Sequence, residues 1–361
     1  LYYYSFLFVS AAALTFMTTP AVRALARRRN VTELSAQRPQ AGPIPTLGGL
    51  AVLAGLAGSI ALSLLVYPEL AAFLGAALIS WRWSVVGTLL IAGLGLIDDV
   101  FKVRPITKIV FQAAAALLVV ADGHGIGRVI NPFTGGTLYV GWLAAPLTLF
   151  WIIGITNAFN LIDGLDGLAA GVALIAAVTL SAVAMPAGRP EIALIALALA
   201  GALAGFLYYN FSPASIFMGD SGSLFVGYLL AALYVRGAQH VEGVPLLTPL
   251  LALSLPIADA LLAIIRRGLV QAPNGAPGRR DVSDRLVAIF RRDREHIHHR
   301  LISMGFDEAH AVLILYAVSL VTGIVAVLTF QAQNTRLAAA IVFGAIVLFF
   351  GARRLRNNSK A

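Results

Sequence analysis

Asn157-Ala158-Phe159-Asn160-Leu161-Ile162-Asp163-Gly164-Leu165-Asp166-Gly167 interrupts an apolar run that begins near Trp142 and resumes at Leu168. Two carboxylates, two carboxamides and two glycines therefore lie between segments that otherwise read as membrane-spanning helices. A carboxylate at bilayer depth costs about 2.5–3.5 kcal/mol on insertion scales, so an ionisable group there is a functional candidate by default. Asp163 and Asp166 stand three apart and can share one face. Gly164 and Gly167 let the backbone come close to a ligand. A structural role competes with this, with Asp166 as the N-cap of the following helix. Asn157 and Asn160 supply the donors and acceptors that a base edge or sugar hydroxyls require.

Outward from this stretch, composition sets the class. Of 361 residues 59% are hydrophobic and only 12% charged, where soluble domains run nearer a quarter charged. The chain reads as an all-α polytopic membrane protein, one integral-membrane domain over 1–361. Cys is absent, which excludes disulfides and thiolate metal sites. The net charge of +9 has a simple cause in the Lys/Arg excess of cytoplasmic loops. It leaves no free basic domain, and nucleic acid is not an expected partner. The first apolar segment has no positive region before it and Arg23, Arg27, Arg28 and Arg29 after it. That is the reverse of a cleavable signal peptide, and it predicts a first span with the N-terminus outside.

At about 20 apolar residues per span, eleven spans are predicted near 2–22, 47–66, 83–98, 105–121, 142–158, 166–185, 191–209, 222–236, 246–266, 311–330 and 336–352. The stretch 67–82 either extends the third span or lies flat at the interface. This topology puts the C-terminus in the cytoplasm, with 21 of the 26 Lys and Arg residues inside. The five outside are Arg82, Arg128, Arg189, Arg236 and Arg336. The orientation follows from that bias. Asp98, Asp99, Asp163, Asp166 and Asp220 then fall at the cytoplasmic ends of spans or in the short turns joining them, on the same side as the longest inside loop, about 267–310. Asp259, two turns inside the ninth span, reads as structural, pairing with a neighbouring helix or Arg266.

Three further constellations join the first. Asp98 and Asp99 are adjacent on one helix and so point about 100° apart. One can face a site while the other fixes a turn or a cation; the structural alternative is interfacial pairing with Lys102 or Arg104. Asp220 opens a helix after the Gly-rich turn Phe217-Met218-Gly219. Helix N-termini bind phosphate, and a carboxylate there repels phosphate unless a divalent cation lies between. Mg²⁺ is typically held in this way, by one or two carboxylates and substrate phosphates. Hence Asp220 reads as a metal ligand, with a simple N-cap as the alternative. His296, His298 and His299 stand beside Arg300, on a short amphipathic helix expected to be capped by Asp293. Missing Cys and carboxylate-rich surroundings favour Mg²⁺ over zinc, so these donors suit a pyrophosphate. Asn210 and Phe217 flank the metal turn, where an aromatic ring either stacks on a base or merely anchors the interface.

Together these pieces resemble the polyprenyl-phosphate N-acetylhexosamine-1-phosphate transferase family. Pro43-Ile44-Pro45-Thr46-Leu47-Gly48-Gly49 is similar to its first cytoplasmic signature and Asp98-Asp99 to its paired-Asp motif. Residues 157–171 match its Asn-rich DGxDGLAxG motif, and 216–223 its F-M-G-D-x-G-S turn. His296-Ile297-His298-His299 and eleven spans resemble the UDP-N-acetylhexosamine branch rather than the phospho-MurNAc-pentapeptide translocases. Arg38 stands where translocases place a Lys.

The resemblance implies a transfer of sugar-1-phosphate, with GlcNAc-1-phosphate the expected group, from a UDP-sugar to undecaprenyl (polyprenyl) phosphate. It implies Mg²⁺, with Mn²⁺ as an alternative, held by Asp220 with help from Asp99, and Asp98 as base or orienting group. Asn157, Asn160, Asp163, Asp166, Asn210 and Phe217 would hold the uridine and sugar. His296, His298, His299, Arg300 and Arg38 would take the pyrophosphate. Relatives are often dimers, so a homodimer is allowed. Short loops and 23 Arg to 3 Lys suggest a bacterial plasma membrane, with the site on the cytoplasmic side. The rival classes are the pentapeptide translocase and an ion-coupled secondary transporter. Transporter sites sit near the midplane between internal repeats, whereas these carboxylates crowd one face and no repeat is evident.

Overall fold

Prolines start three of the helices. Pro68, Pro105 and Pro190 each occupy the first helical turn, where the missing N–H costs no hydrogen bond. The computed structural model describes residues 2–34, 40, 42–130, 136–237, 247–269 and 297–332. Helix α1 (Tyr2–Arg28) leads into an antiparallel hairpin of β1 (Thr32–Leu34) and β2 (Pro43–Pro45), paired Glu33 to Ile44. Then come α2 (Gly48–Val66), α3 (Pro68–Ser80), α4 (Arg82–Phe101) and α5 (Pro105–Ala121). A second hairpin, β3 (Arg128–Ile130) with β4 (Thr137–Tyr139), precedes α6 (Ala144–Ile162), α7 (Leu168–Ala184), α8 (Pro190–Asn210) and α9 (Asp220–Gly237). The described chain closes with α10 (Leu247–Ala252), α11 (Ser254–Leu269), α12 (Ile297–Ser303) and α13 (Glu308–Ala332).

The architecture is that of an all-α, multi-pass membrane protein. Six helices are long and apolar enough to cross a membrane: α1, α2, α4, α6 with its preceding turn, α8 and α13. Shorter apolar helices are α3, α5, α7 and α11. The stretch 67–82 resolves as α3, a helix of its own. The ninth predicted span is broken into α10 and α11 at Leu253, and the eleventh, 336–352, lies outside the described residues.

The centre of the bundle is α9. Every residue from Ser221 to Arg236 is buried, enclosed by α2, α4, α6, α7 and α8. Small residues allow the close packing, as they do between membrane helices generally. Gly201 and Gly205 of α8 lie against the backbone of Phe8 and Ala12 in α1. Gly95 of α4 lies against the backbone of Asp220 and Ser221, where a Cβ would meet main chain; Gly93, two residues earlier, has nothing within 4 Å of its would-be Cβ. Apolar side chains such as Val9, Met17, Leu65 and Phe150 cover the outside, a surface suited to lipid.

The far end of α9 holds a sealed ion pair. Arg236, the last residue of the eighth predicted span, is 1% exposed and pairs with Asp122 at 2.7 Å. It also donates to Ser84 Oγ at 2.9 Å and stacks over Trp81 at 4.5 Å. Its Nη1 lies 2.8 Å from His124 Nε2, while His124 Nδ1 lies 2.7 Å from the carbonyl of Asp122. Arginine can only donate, so Nε2 accepts, Nδ1–H donates and the ring is neutral. Burial, then the Arg236 charge, lower the imidazole pKa below its ordinary 6.5.

Candidate active site

The near end of α9 is a short turn held from two sides. β2 and the start of α2 run along residues 217–218: Phe217 N–H donates to Pro45 O at 2.8 Å, Gly48 N–H to Phe217 O at 3.0 Å and Gly49 N–H to Met218 O at 2.8 Å. Gly219 takes φ +72°, the left-handed region that a side chain disfavours. The Pro43–Gly49 segment is thereby docked on the turn that presents Asp220.

From the other side, α4 delivers its two carboxylates to different work. Asp99 accepts the N–H of Asp220 at 2.8 Å and that of Ser221 at 3.1 Å. It caps α9 from another helix, satisfying two of the donors that a helix N-terminus leaves open. Asp99 was expected beside the metal, and each of its oxygens is engaged by this backbone. Asp98 accepts the N–H of Val103 at 2.6 Å and pairs with Lys108 Nζ at 2.7 Å. Lys108 also bridges to Asp220 Oδ2, while Asn160 Nδ2 donates to Asp220 Oδ1 and Ser223 Oγ, both at 3.0 Å.

Lys108 is the residue that the sequence reading left in a charge tally. Its signal is present: a cation one turn into an apolar helix, α5, four residues before Gln112 on the same face. That face meets α6, where the amides of Gln112 and Asn157 pair, Asn157 Nδ2 to Gln112 Oε1 at 2.7 Å. Asn157 donates as well to Ile153 O at 2.7 Å. Its amide, expected at a base or sugar, is bonded within the bundle.

The 163–167 turn is held by other elements. Gly167, at φ +81°, is the N-cap of α7 and no side chain caps it. The expected N-cap, Asp166, is buried, and its Oδ2 accepts the N–H of Ala214 instead, at 2.8 Å. Asn210, also buried, donates to Ile216 O at 3.0 Å. These two side chains clamp the 211–216 loop onto the turn. Tyr316 of α13 donates to Gly167 O at 2.6 Å, its ring lying over Gly171. Asp163 is half-buried and has no hydrogen-bond partner among the described residues. Burial, and after it the charge of Asp220, raise its carboxyl well above the usual carboxylate range. Phe217 is half-buried at the rim.

His298 and His299 occupy the second and third positions of α12 and Arg300 the fourth. The side chains of the two histidines lie outside the described residues, as do His296 and Arg38 entirely. So does Asp293, the expected cap; the first N–H of α12, on Ile297, is instead accepted by Asp259 of α11 at 2.8 Å.

The donor set fits a hard divalent ion. Asp98 and Asp220 converge on one ammonium group, Lys108, so two carboxylate oxygens already share a cationic position. Among the described residues no three His, Cys, Asp or Glu side chains form a metal cage. Two carboxylates with open positions for water and phosphate are the usual provision for Mg²⁺.

A family model described as glycosyl transferase family 4 matches residues 81–238, the span that holds Asp98, Asp99, Lys108, the 157–167 turn and Asp220. The chain is 34% identical to the probable undecaprenyl-phosphate N-acetylglucosaminyl 1-phosphate transferase of Bacillus subtilis (strain 168), over 94% of this chain and 88% of that one. It is 35% identical to the decaprenyl-phosphate N-acetylglucosaminephosphotransferase of Mycobacterium tuberculosis (strain ATCC 25618 / H37Rv), over 94% and 85%. A phospho-N-acetylmuramoyl-pentapeptide-transferase, that of Moorella thermoacetica, is 30% identical over 87% and 94%.

Proposed function

We propose, from the premise that the chain belongs to glycosyl transferase family 4, that it transfers GlcNAc-1-phosphate from UDP-GlcNAc to a polyprenyl phosphate. UMP is released and a lipid-linked diphospho-sugar remains in the membrane. One observation carries the reading. Lys108 draws Asp98 and Asp220 to a single point beside the end of α6 that leads into the 163–167 turn, in a chain whose relatives are named for such transfer to undecaprenyl or decaprenyl phosphate.

An oxygen of the lipid phosphate attacks the β-phosphorus of the donor. The bond from that phosphorus to the bridging oxygen breaks, and UMP leaves. One anhydride replaces another, so the protein's work is alignment and the neutralising of charge between two anions. A phosphate monoester has its second pKa near 6, and Asp98 takes the residual proton or orients the attacking oxygen. Asp99 acts through Asp220, by fixing its backbone, and Asn160 holds the other oxygen of that carboxylate. Asp163 and Phe217 face the uridine and sugar, with Asp166, Asn210 and Asn157 bracing the walls. His296, His298, His299, Arg300 and Arg38 serve the diphosphate. Mg²⁺, or Mn²⁺, would be held by Asp220, with Asp99 assisting through its hold on the Asp220 backbone, and would supply positive charge to the reacting phosphates.

The Lys/Arg bias supports a bacterial plasma-membrane enzyme of eleven spans, with its site on the cytoplasmic side; a homodimer is compatible with it. The test is direct. Purified protein, Mg²⁺, UDP-GlcNAc and undecaprenyl phosphate are mixed and UMP is measured. UMP should form with UDP-GlcNAc and not with UDP-MurNAc-pentapeptide. The opposite pattern would make the protein a translocase of peptidoglycan synthesis, and no UMP from either donor would end the proposal.

A further inference from the structure

Asp259 is a carboxylate in a place that disfavours one. It lies in the apolar helix α11 and is 1% exposed. Burying a charge costs several kcal/mol unless hydrogen bonds compensate. One of its bonds reaches across to another element: Oδ1 accepts the N–H of Ile297, the first residue of α12, at 2.8 Å.

The recipient needs the help. α12 has seven residues, well short of the roughly 12–15 at which an isolated helix begins to hold in water. Its anchorage is therefore tertiary. Ile297, Leu301 and Ile302 pack on the main core, and Asp259 fastens the first turn.

What α12 is fastened to matters for the site. α11 packs on α6, the helix that runs into the 163–167 turn, and α13 packs on α7, the helix that leaves it. Tyr316 of α13 also grips Gly167 directly. The helix bearing His298 and His299 is thus held between two supports that bear on opposite arms of that turn.

We propose that Asp259 is a positioning residue for the transfer, fixing the start of α12, and with it His298 and His299, relative to the 163–167 turn. The inference rests on the transferase reading for its kinetic arm only. A misplacement near 1 Å costs on the order of 10²-fold in rate. Asp259→Ala should accordingly lower kcat/KM for UDP-GlcNAc by about 10- to 100-fold. Asp259→Asn keeps an accepting oxygen and should recover most of that loss. Ile297→Pro removes the donor instead, at a helix position where proline is tolerated, and should reproduce the Ala phenotype without touching α11.

Two readouts separate positioning from general destabilisation. In a His298→Ala/His299→Ala background, followed by UDP-GlcNAc affinity as well as turnover, Asp259→Ala should add less than about twofold, because residues acting as one unit are non-additive. Amide exchange in the full-length protein should show residues 297–303 losing protection while 220–236 keep theirs. Equal losses in both backgrounds, or unchanged protection of 297–303 in Asp259→Ala, overturns the proposal. Wild-type protein that makes no UMP refutes the transferase reading instead, and the exchange experiment still decides whether Asp259 anchors α12.

Discussion

The central helix has an acid–base cluster at each end, and the two are built to opposite specifications. At its last turn Arg236 meets Asp122, each 1% exposed. Asp122 also accepts the Ser84 N–H at 2.8 Å and the Ser84 hydroxyl at 2.7 Å. One acid faces one base. The base is the planar, forked one that holds a carboxylate and stacks on an indole. At its first turn Asp98 and Asp220 share one lysine, with Lys108 18% and Asp220 24% exposed. Asp99 and Asp163 add two more carboxyls nearby, so acid groups outnumber the base, and the lysine is a point charge on a flexible stem. A balanced, sealed cluster joins α4, the α5–β3 connection and α9. The unbalanced and partly open one is where the proposed reaction would place a further cation and the phosphates.

The contrast can be broken most severely at Asp220. Asp220→Asn should lower turnover by about 10³-fold or more, the scale of losing one preorganised electrostatic group, with the melting temperature near that of the parent. UMP release checks it, and near-normal transfer would remove Asp220 from the chemistry. Arg236→Met attacks the other end. Leaving Asp122 buried without its cation should cost about 3–5 kcal/mol of stability, read by thermal denaturation, while kcat per folded molecule stays within about twofold. A large loss of kcat there would merge the two clusters into one functional unit. Asp98→Asn should come next, lowering kcat by about 10²-fold, as for a general base, and UDP-sugar affinity far less. Equal losses in both would make it a binding residue.

The smallest effect is one of pH. His124 is neutral in the folded protein, beside Arg236, Asp122 and, at longer range, Arg189. Its folded pKa is lowered, so the unfolded chain binds the extra proton first as pH falls. Stability from this group is complete above its ordinary pKa of 6.5 and declines as pH drops toward the lowered folded value. The melting temperature should fall between pH 8 and 5.5, and His124→Gln should flatten that slope.

Much of this was readable in the chain, for local reasons. Prolines 68, 105 and 190 mark helix starts, and Gly167 and Gly219 mark the two turns. The 157–167 insertion declares itself by putting carboxylates among apolar residues. What stayed hidden was non-local. Helix geometry says that Asp98 and Asp99 differ, but only the approach of Gly95 to Asp220 decides which of them caps α9. Asp166 has the sequence of an N-cap, yet the N–H it serves belongs to Ala214, 48 residues away. Lys108 disappeared into a topology count because charge bias and chemistry use the same residue type. Arg236, at the end of the eighth predicted span, reads only as one more outside charge because the partner that makes it buriable, Asp122, lies 114 residues earlier.

Two glycines on α4 carry a practical lesson for anyone wishing to stiffen this protein. Alanine at Gly93 gains roughly 0.5–1 kcal/mol of helix preference and meets only open space. Alanine at Gly95 gains the same locally and then wedges a methyl group into the main chain of Asp220 and Ser221, where no rotamer can yield. The same edit two positions apart would toughen the molecule in one case and pry open its candidate active site in the other.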